Sequence, residues 1–156
     1  MIKREKIFFA CRNIYIKMKK HHLHILPVTF ILICKIINRS FNSGIPINDK
    51  IDVFIAPHGF SGIFISKNAI IGKNCTIFQQ VTIGSNELIG SKHYGAPIIG
   101  DNVYIGAGAK IIGNCKIGNN VKIGANCVVT ESIESDTTVV TNYPRIIKKK
   151  RDVKSA

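Results

Sequence analysis

Tryptophan is absent from this 156-residue chain, aromatic residues make up only 8% of it, and charged residues only 20%. A packed interior must therefore come from aliphatic side chains, and 30 isoleucines supply them. Low charge with 46% hydrophobic residues excludes a disordered chain. The β-branched excess points to an all-β core. Acidic residues are scarce too, 9 against 22 Lys and Arg, which leaves a net charge of +13. The five cysteines form no CxxC and no Cys/His set at zinc spacing, which excludes a zinc ribbon and a dithiol redox motif. They read as reduced thiols of a cytoplasmic protein, and Cys75, Cys115 and Cys127, in a repeat slot for small residues, as packing. A long apolar run is also missing. Leu23 to Ile37 is interrupted by His24, Pro27 and Lys35, whereas a spanning helix needs about 20 apolar residues. Asn38-Arg39-Ser40-Phe41 is a poor leader-peptidase site. The segment reads instead as a helical arm for a membrane surface or for oligomer packing, its second helix starting at Pro27.

The positive charge sits at the ends. Residues 1–50 hold ten Lys or Arg against Glu5 and Asp49, and Lys148, Lys149, Lys150, Arg151 and Lys154 crowd the tail. A nucleic-acid reader would carry basic and aromatic residues together on its folded face, so nucleic acid is not the expected partner. A phosphate-bearing small molecule or the inner face of a membrane fits better.

A six-residue ladder organises the middle. Ile65, Ile71, Ile77 and Ile83 are six apart, and so are Ile99, Ile105, Ile111, Ile117, Ile123 and Val129. Gly72, Gly84, Gly100, Gly106, Gly118 and Gly124 follow the ladder residue directly. Small or β-branched residues stand four places on: Ala69, Cys75, Val81, Val103, Ala109, Cys115, Val121 and Cys127. Six does not fit a 3.6-residue helical face, so a helix is excluded. A hexapeptide repeat means a parallel β-helix, in which three short strands and three turns make a triangular coil of about 18 residues rising about 4.8 Å. Ile fills the interior and the small residue fits the corner. Gly and Asn74, Asn102, Asn114, Asn120 and Asn126 relieve turn backbone where positive φ is common. The expected organisation is a helical arm over 1–44, the β-helix over 45–147 and a basic tail over 148–156.

The ladder breaks twice, and breaks in a solenoid are where function concentrates. The interval from Ile51 to Ile65 is two residues too long and surrounds Ala56-Pro57-His58-Gly59-Phe60-Ser61-Gly62. The interval from Ile83 to Ile99 holds an excursion, the loop 85–98, with Lys92-His93-Tyr94-Gly95. Two of the chain's five histidines, His58 and His93, fall in the two breaks.

On these residues the sequence resembles the left-handed parallel β-helix acyltransferases, within them the serine acetyltransferase-like and polysaccharide O-acetyltransferase group. The stretches that carry the resemblance are His58 through Ile65, Gln79-Gln80-Val81-Thr82-Ile83-Gly84, Ile99 through Ile111, Ile117 through Val129 and Thr138 through Ile147. The resemblance implies a homotrimer with active sites between subunits, transferring an acetyl group from acetyl-CoA to a serine or sugar hydroxyl, with no metal. It makes His58 the general base and puts an oxyanion donor at Gly84-Ser85. Lys92-His93 stand where the family's Arg-His pair meets the acceptor, and His93 is the rival base. Several positions depart from serine acetyltransferases. Pro57 replaces an Asp before the histidine, one extra residue separates His58 from Gly62, and the long helical domain is replaced by about 44 residues. The carboxylate that orients the base has no clear counterpart, with Asp49 and Asp52 as candidates.

The chemistry agrees with the resemblance. An alcohol needs a base within hydrogen-bond reach, and a neutral His serves. The flat Gly106-Ala107-Gly108-Ala109 surface lets a pantetheine arm approach the backbone, and Lys110 or the basic tail can meet the coenzyme phosphates. Two other functions are compatible with a β-helix. A γ-carbonic-anhydrase-type hydratase needs three His ligands, and the repeat region has two. A structural or ice-binding solenoid needs a regular Thr array, which Thr76, Thr82 and Thr130 do not form.

Overall fold

The computed structural model describes residues 4–20 and 27–142. Leu23 and His24, the closing Tyr143 to Ile147 and the basic tail lie outside the described residues. Helices α1 (Arg4–Lys20) and α2 (Pro27–Ser40) form the arm. Eleven strands of two or three residues follow: β1 (Phe64–Ile65), β2 (Ile70–Ile71), β3 (Thr76–Ile77), β4 (Thr82–Gly84), β5 (Ile98–Ile99), β6 (Tyr104–Ile105), β7 (Lys110–Ile112), β8 (Lys116–Ile117), β9 (Lys122–Ile123), β10 (Val128–Val129) and β11 (Thr138–Val139). They stack into three parallel sheets, β1-β4-β7-β10, β2-β5-β8 and β3-β6-β9-β11. This is the expected left-handed β-helix with two N-terminal helices.

Register shows how the ladder works. Ile65, Ile83, Ile111 and Val129 stack in the first sheet, and Ile71, Ile99 and Ile117 in the second. Ile77, Ile105, Ile123 and Val139 stack in the third. All but Val139 are buried, as are the small corner residues from Ala69 to Cys127. The five cysteines are free and buried.

The turn glycines and asparagines divide the work that the sequence assigned to them jointly. Asn74, Asn102, Asn120 and Asn126 have φ between 56° and 58°. Asn114 does not share this conformation, and Gly113 beside it has φ 88° instead. Glycines that follow the ladder residue have another reason. A Cβ on Gly72 would lie 2.7 Å from the Gly100 carbonyl, and one on Gly106 would lie 2.7 Å from the Ala125 nitrogen. They permit close stacking of successive coils, not an unusual φ.

The first break is part of the core. Phe60 is fully buried and meets Phe8, Phe9 and Phe41 edge-on, with ring centroids 5.3, 5.7 and 5.9 Å away. The two extra residues thus turn a phenylalanine into the end of the prism, where it joins the arm to the first coil. Arg12, on the same helix face, is 4% exposed and donates from Nη1 to the Ile51 carbonyl at 2.6 Å.

Candidate active site

Each coil has three corners. The corner between the second and third sheets is a polar ladder. Lys73 N donates to Asp101, Asp101 N to Asn119 and Asn119 N to Ser135, at 2.7, 2.8 and 3.0 Å. Here the side chains of Asp101, Asn119 and Ser135 tie each coil to the next. The two breaks occupy the other two.

His58 sits on the corner that leads from the third sheet back to the first, between the Ile55–Thr76 bridge and β1. Its side chain is exposed. Its ring meets Phe78 edge-on, with centroids 5.4 Å apart, and its Nδ1 lies 2.8 Å from Gln79 Oε1. An amide oxygen only accepts, so this contact suits a proton on Nδ1, and in the neutral ring Nε2 then keeps its lone pair. Asp49 and Asp52, the upstream candidates for orienting this ring, are elsewhere. They line a groove at the arm beside Arg12, and the partner recorded for His58 is a neutral amide. The turn beneath is tight: Gly59 has φ 73°, and a Cβ there would lie 2.8 Å from Glu5 Oε1 and 2.9 Å from Phe41.

The same corner carries the glycine-rich surface. Gly108 N donates to the Gln79 carbonyl at 3.0 Å, and Asn126 N to the Ala107 carbonyl at 2.9 Å. Gly106 and Ala109 are buried, while Ala107 and Gly108 are partly exposed. Lys110 folds back along this edge, its Nζ 2.6 Å from the Gln80 carbonyl. His58, Gln79 and the run Gly106 to Lys110 therefore lie on one edge of the prism.

The loop leaves from the corner between the first and second sheets, after β4 and before β5. Its neck is closed by an antiparallel bridge between Asn86 and Gly95, with hydrogen bonds of 2.8 and 2.9 Å. It folds over Gly113, where a Cβ would lie 2.7 Å from the His93 carbonyl. His93 reaches the coil above, its Nε2 3.2 Å from Glu131 Oε1. Lys92 is exposed. Gly84 accepts from Gly113 N at 2.9 Å, and the Ser85 hydroxyl is 2.5 Å from that of Ser66. A cavity of about 410 Å³ lies under the loop between Ile70, Ser85, Asn86, Tyr94 and Ile98.

The structure thus sorts the sequence-predicted residues into two sets. His58 and Gly106 to Lys110 share one corner, and Gly84, Ser85, Lys92 and His93 share another, with the first sheet between them. Sequence reasoning missed Gln79 as the histidine's partner and Glu131 as that of His93.

Residues 96–131 match the family model described as bacterial transferase hexapeptide, six repeats. The serine acetyltransferase of Staphylococcus epidermidis is 49% identical over 92 residues, 58% of this chain and 41% of that protein. Over these stretches the chain is similar to the hexapeptide-repeat transferases. Among solved structures, serine acetyltransferase isoform 3 of Entamoeba histolytica, in complex with cysteine, superposes with a TM-score of 0.71 at 32% identity, over 92% of this chain and 50% of that one. The Neisseria gonorrhoeae serine acetyltransferase in complex with serine gives 0.67 at 29%, over 86% and 53%. A serine acetyltransferase in complex with CoA gives 0.69 at 25%, over 88% of this hexapeptide-repeat chain and 55% of that one. The chain therefore spans 41% to 55% of the length of the relatives it matches here.

Proposed function

We propose that this protein is an O-acetyltransferase that moves the acetyl group of acetyl-CoA to an acceptor hydroxyl, serine being the first acceptor. The observation that carries the reading is the His58–Gln79 contact on the glycine-rich edge. It leaves a basic Nε2 at the surface where a thioester arm has backbone to lie along. Solved relatives with serine, cysteine and CoA support the acceptor and the donor.

His58 Nε2 takes the hydroxyl proton as the acceptor oxygen bonds to the thioester carbonyl carbon. The thioester C–S bond then breaks, and the proton passes from His58 to the departing sulfur. Negative charge that develops on the carbonyl oxygen needs a backbone donor, the role of Gly84-Ser85. Ala107 and Gly108 face the pantetheine arm, and Lys110 faces the coenzyme phosphates.

The two residue sets occupy different corners of one prism, so one chain does not bring His58 to Lys92-His93. A homotrimer does, by laying the loop corner of one copy against the His58 corner of the next. Donor chemistry and five reduced thiols support a cytoplasmic site of action.

A second acceptor class is favoured by one residue. Pro57, directly before His58, offers no carboxylate to an amino acid's ammonium group, whereas a sugar hydroxyl needs none. The test is a panel of serine and sugars with acetyl-CoA, read as free thiol. Acceptor-dependent release that is lost in His58→Ala supports the reading. Release from no acceptor by the trimeric protein contradicts it.

A further inference from the structure

The arm has an outer face that the acyltransferase reading does not use. Val28, Leu32 and Ile36 on α2 are 65%, 56% and 58% exposed. They are four residues apart, so they form one stripe about 12 Å long on a single helix face. Ile33 beside them and Ile7 and Ile14 on α1 are also exposed. Cys34 and Ile37 point the other way and are buried.

The charge around this stripe has one sign. Lys35 and Arg39 flank it, and Arg4, Lys6, Lys17, Lys19 and Lys20 are exposed on α1. Over residues 1–44 there are nine Lys or Arg and one acid, Glu5. That acid is turned inward, its Oε1 against the Gly59 turn. Two such arms would bring like charges together, which disfavours a second copy as the occupant. An anionic surface meets both the stripe and the charge. Among the described residues no helix is long and apolar enough to cross a membrane, and the 14 residues of α2 fall short of a bilayer core.

We propose that the arm lies on anionic phospholipid headgroups, with Val28, Leu32 and Ile36 inserted below them and the lysines at phosphate level. Each apolar side chain adds burial, and each Lys or Arg adds headgroup attraction. This inference stands apart from the acetyltransferase reading and survives its failure.

The test is flotation of the whole protein with vesicles of phosphatidylglycerol and phosphatidylcholine, against vesicles of phosphatidylcholine alone. Binding is expected to the first only, and to fall in roughly 0.5 M salt. The double variant Leu32→Glu, Ile36→Glu changes exposed positions, so its fold and oligomer mass stay unchanged while its partition falls about a hundredfold. Lys17→Glu, Lys19→Glu, a second and independent variant, is expected to weaken binding to the anionic vesicles as well. Equal flotation with both vesicle types, or none with either, overturns the proposal. So does a Leu32→Glu, Ile36→Glu variant that keeps full vesicle binding but drops in oligomer mass, which makes the face a contact between copies.

Discussion

The imidazole of His58 donates from Nδ1 to the side-chain oxygen of Gln79 across 2.8 Å, one coil away. This contact orients the exposed ring and leaves Nε2 as the nitrogen that the proposed base would use.

His58→Ala is expected to lower kcat by about a hundredfold to ten-thousandfold, the range for loss of a general base. Gln79→Ala keeps the base but frees the ring, so kcat falls by about tenfold to a hundredfold with little change in KM. Gln79→Glu sets a carboxylate against Nδ1. That favours the protonated ring and moves the acid limb of the kcat/KM profile to higher pH. A Gln79→Glu profile that overlays the parent would contradict the contact.

Much of this was legible in the sequence because a period of six admits one architecture. Every ladder isoleucine from Ile65 to Ile123 is inside, and both breaks are where the spacing put them. What stayed hidden depends on contacts between distant residues. Phe60 looked like part of a functional insertion, yet its ring closes the prism against Phe8 and Phe9. Gln79 left a readable signal: the stacked positions in the next coils are Ala107 and Ala125, so a long amide stands where small residues suffice. Orientation of His58 by an amide and not by Asp49 or Asp52 follows from the corner geometry, which no local spacing encodes.

Gly72→Ala tests the stacking account away from the candidate site. Its Cβ would press on the Gly100 carbonyl at the all-structural corner. Loss of about 1–3 kcal/mol is expected, seen as a lower Tm with KM unchanged in the surviving folded protein. An unchanged Tm would mean that the coils have slack.

Burial pushes the Cys34 thiol up to about 11 from its ordinary value of 9.0, and it pushes the Cys75 and Cys115 thiols up as well. At pH 8 these groups stay protonated in the folded state and react slowly with a disulfide reagent, whereas all five thiols react after denaturation. Folding stability owed to Cys34 is fully present below pH 9.0 and is lost as pH rises through about 11, because the unfolded thiol ionises first. Chemical denaturation across that window should show the fall.

Arg12 holds the arm to the first coil through the Ile51 carbonyl and stacks over Phe9, its charge 4.9 Å from the ring centroid. Arg12→Ala leaves that carbonyl without its donor and removes the stem's packing. A cost of about 2–3 kcal/mol is expected, read by urea denaturation.

The proposed site is shared between copies, with His58 on one edge and the loop of a neighbour completing it. His58→Ala and His93→Ala chains, each inactive alone, are denatured together, refolded as mixed trimers and assayed for thiol release from acetyl-CoA. Restored turnover at about a quarter of the sites in an even mixture is the predicted result. Mixed trimers that stay as inactive as either parent would contradict the shared site.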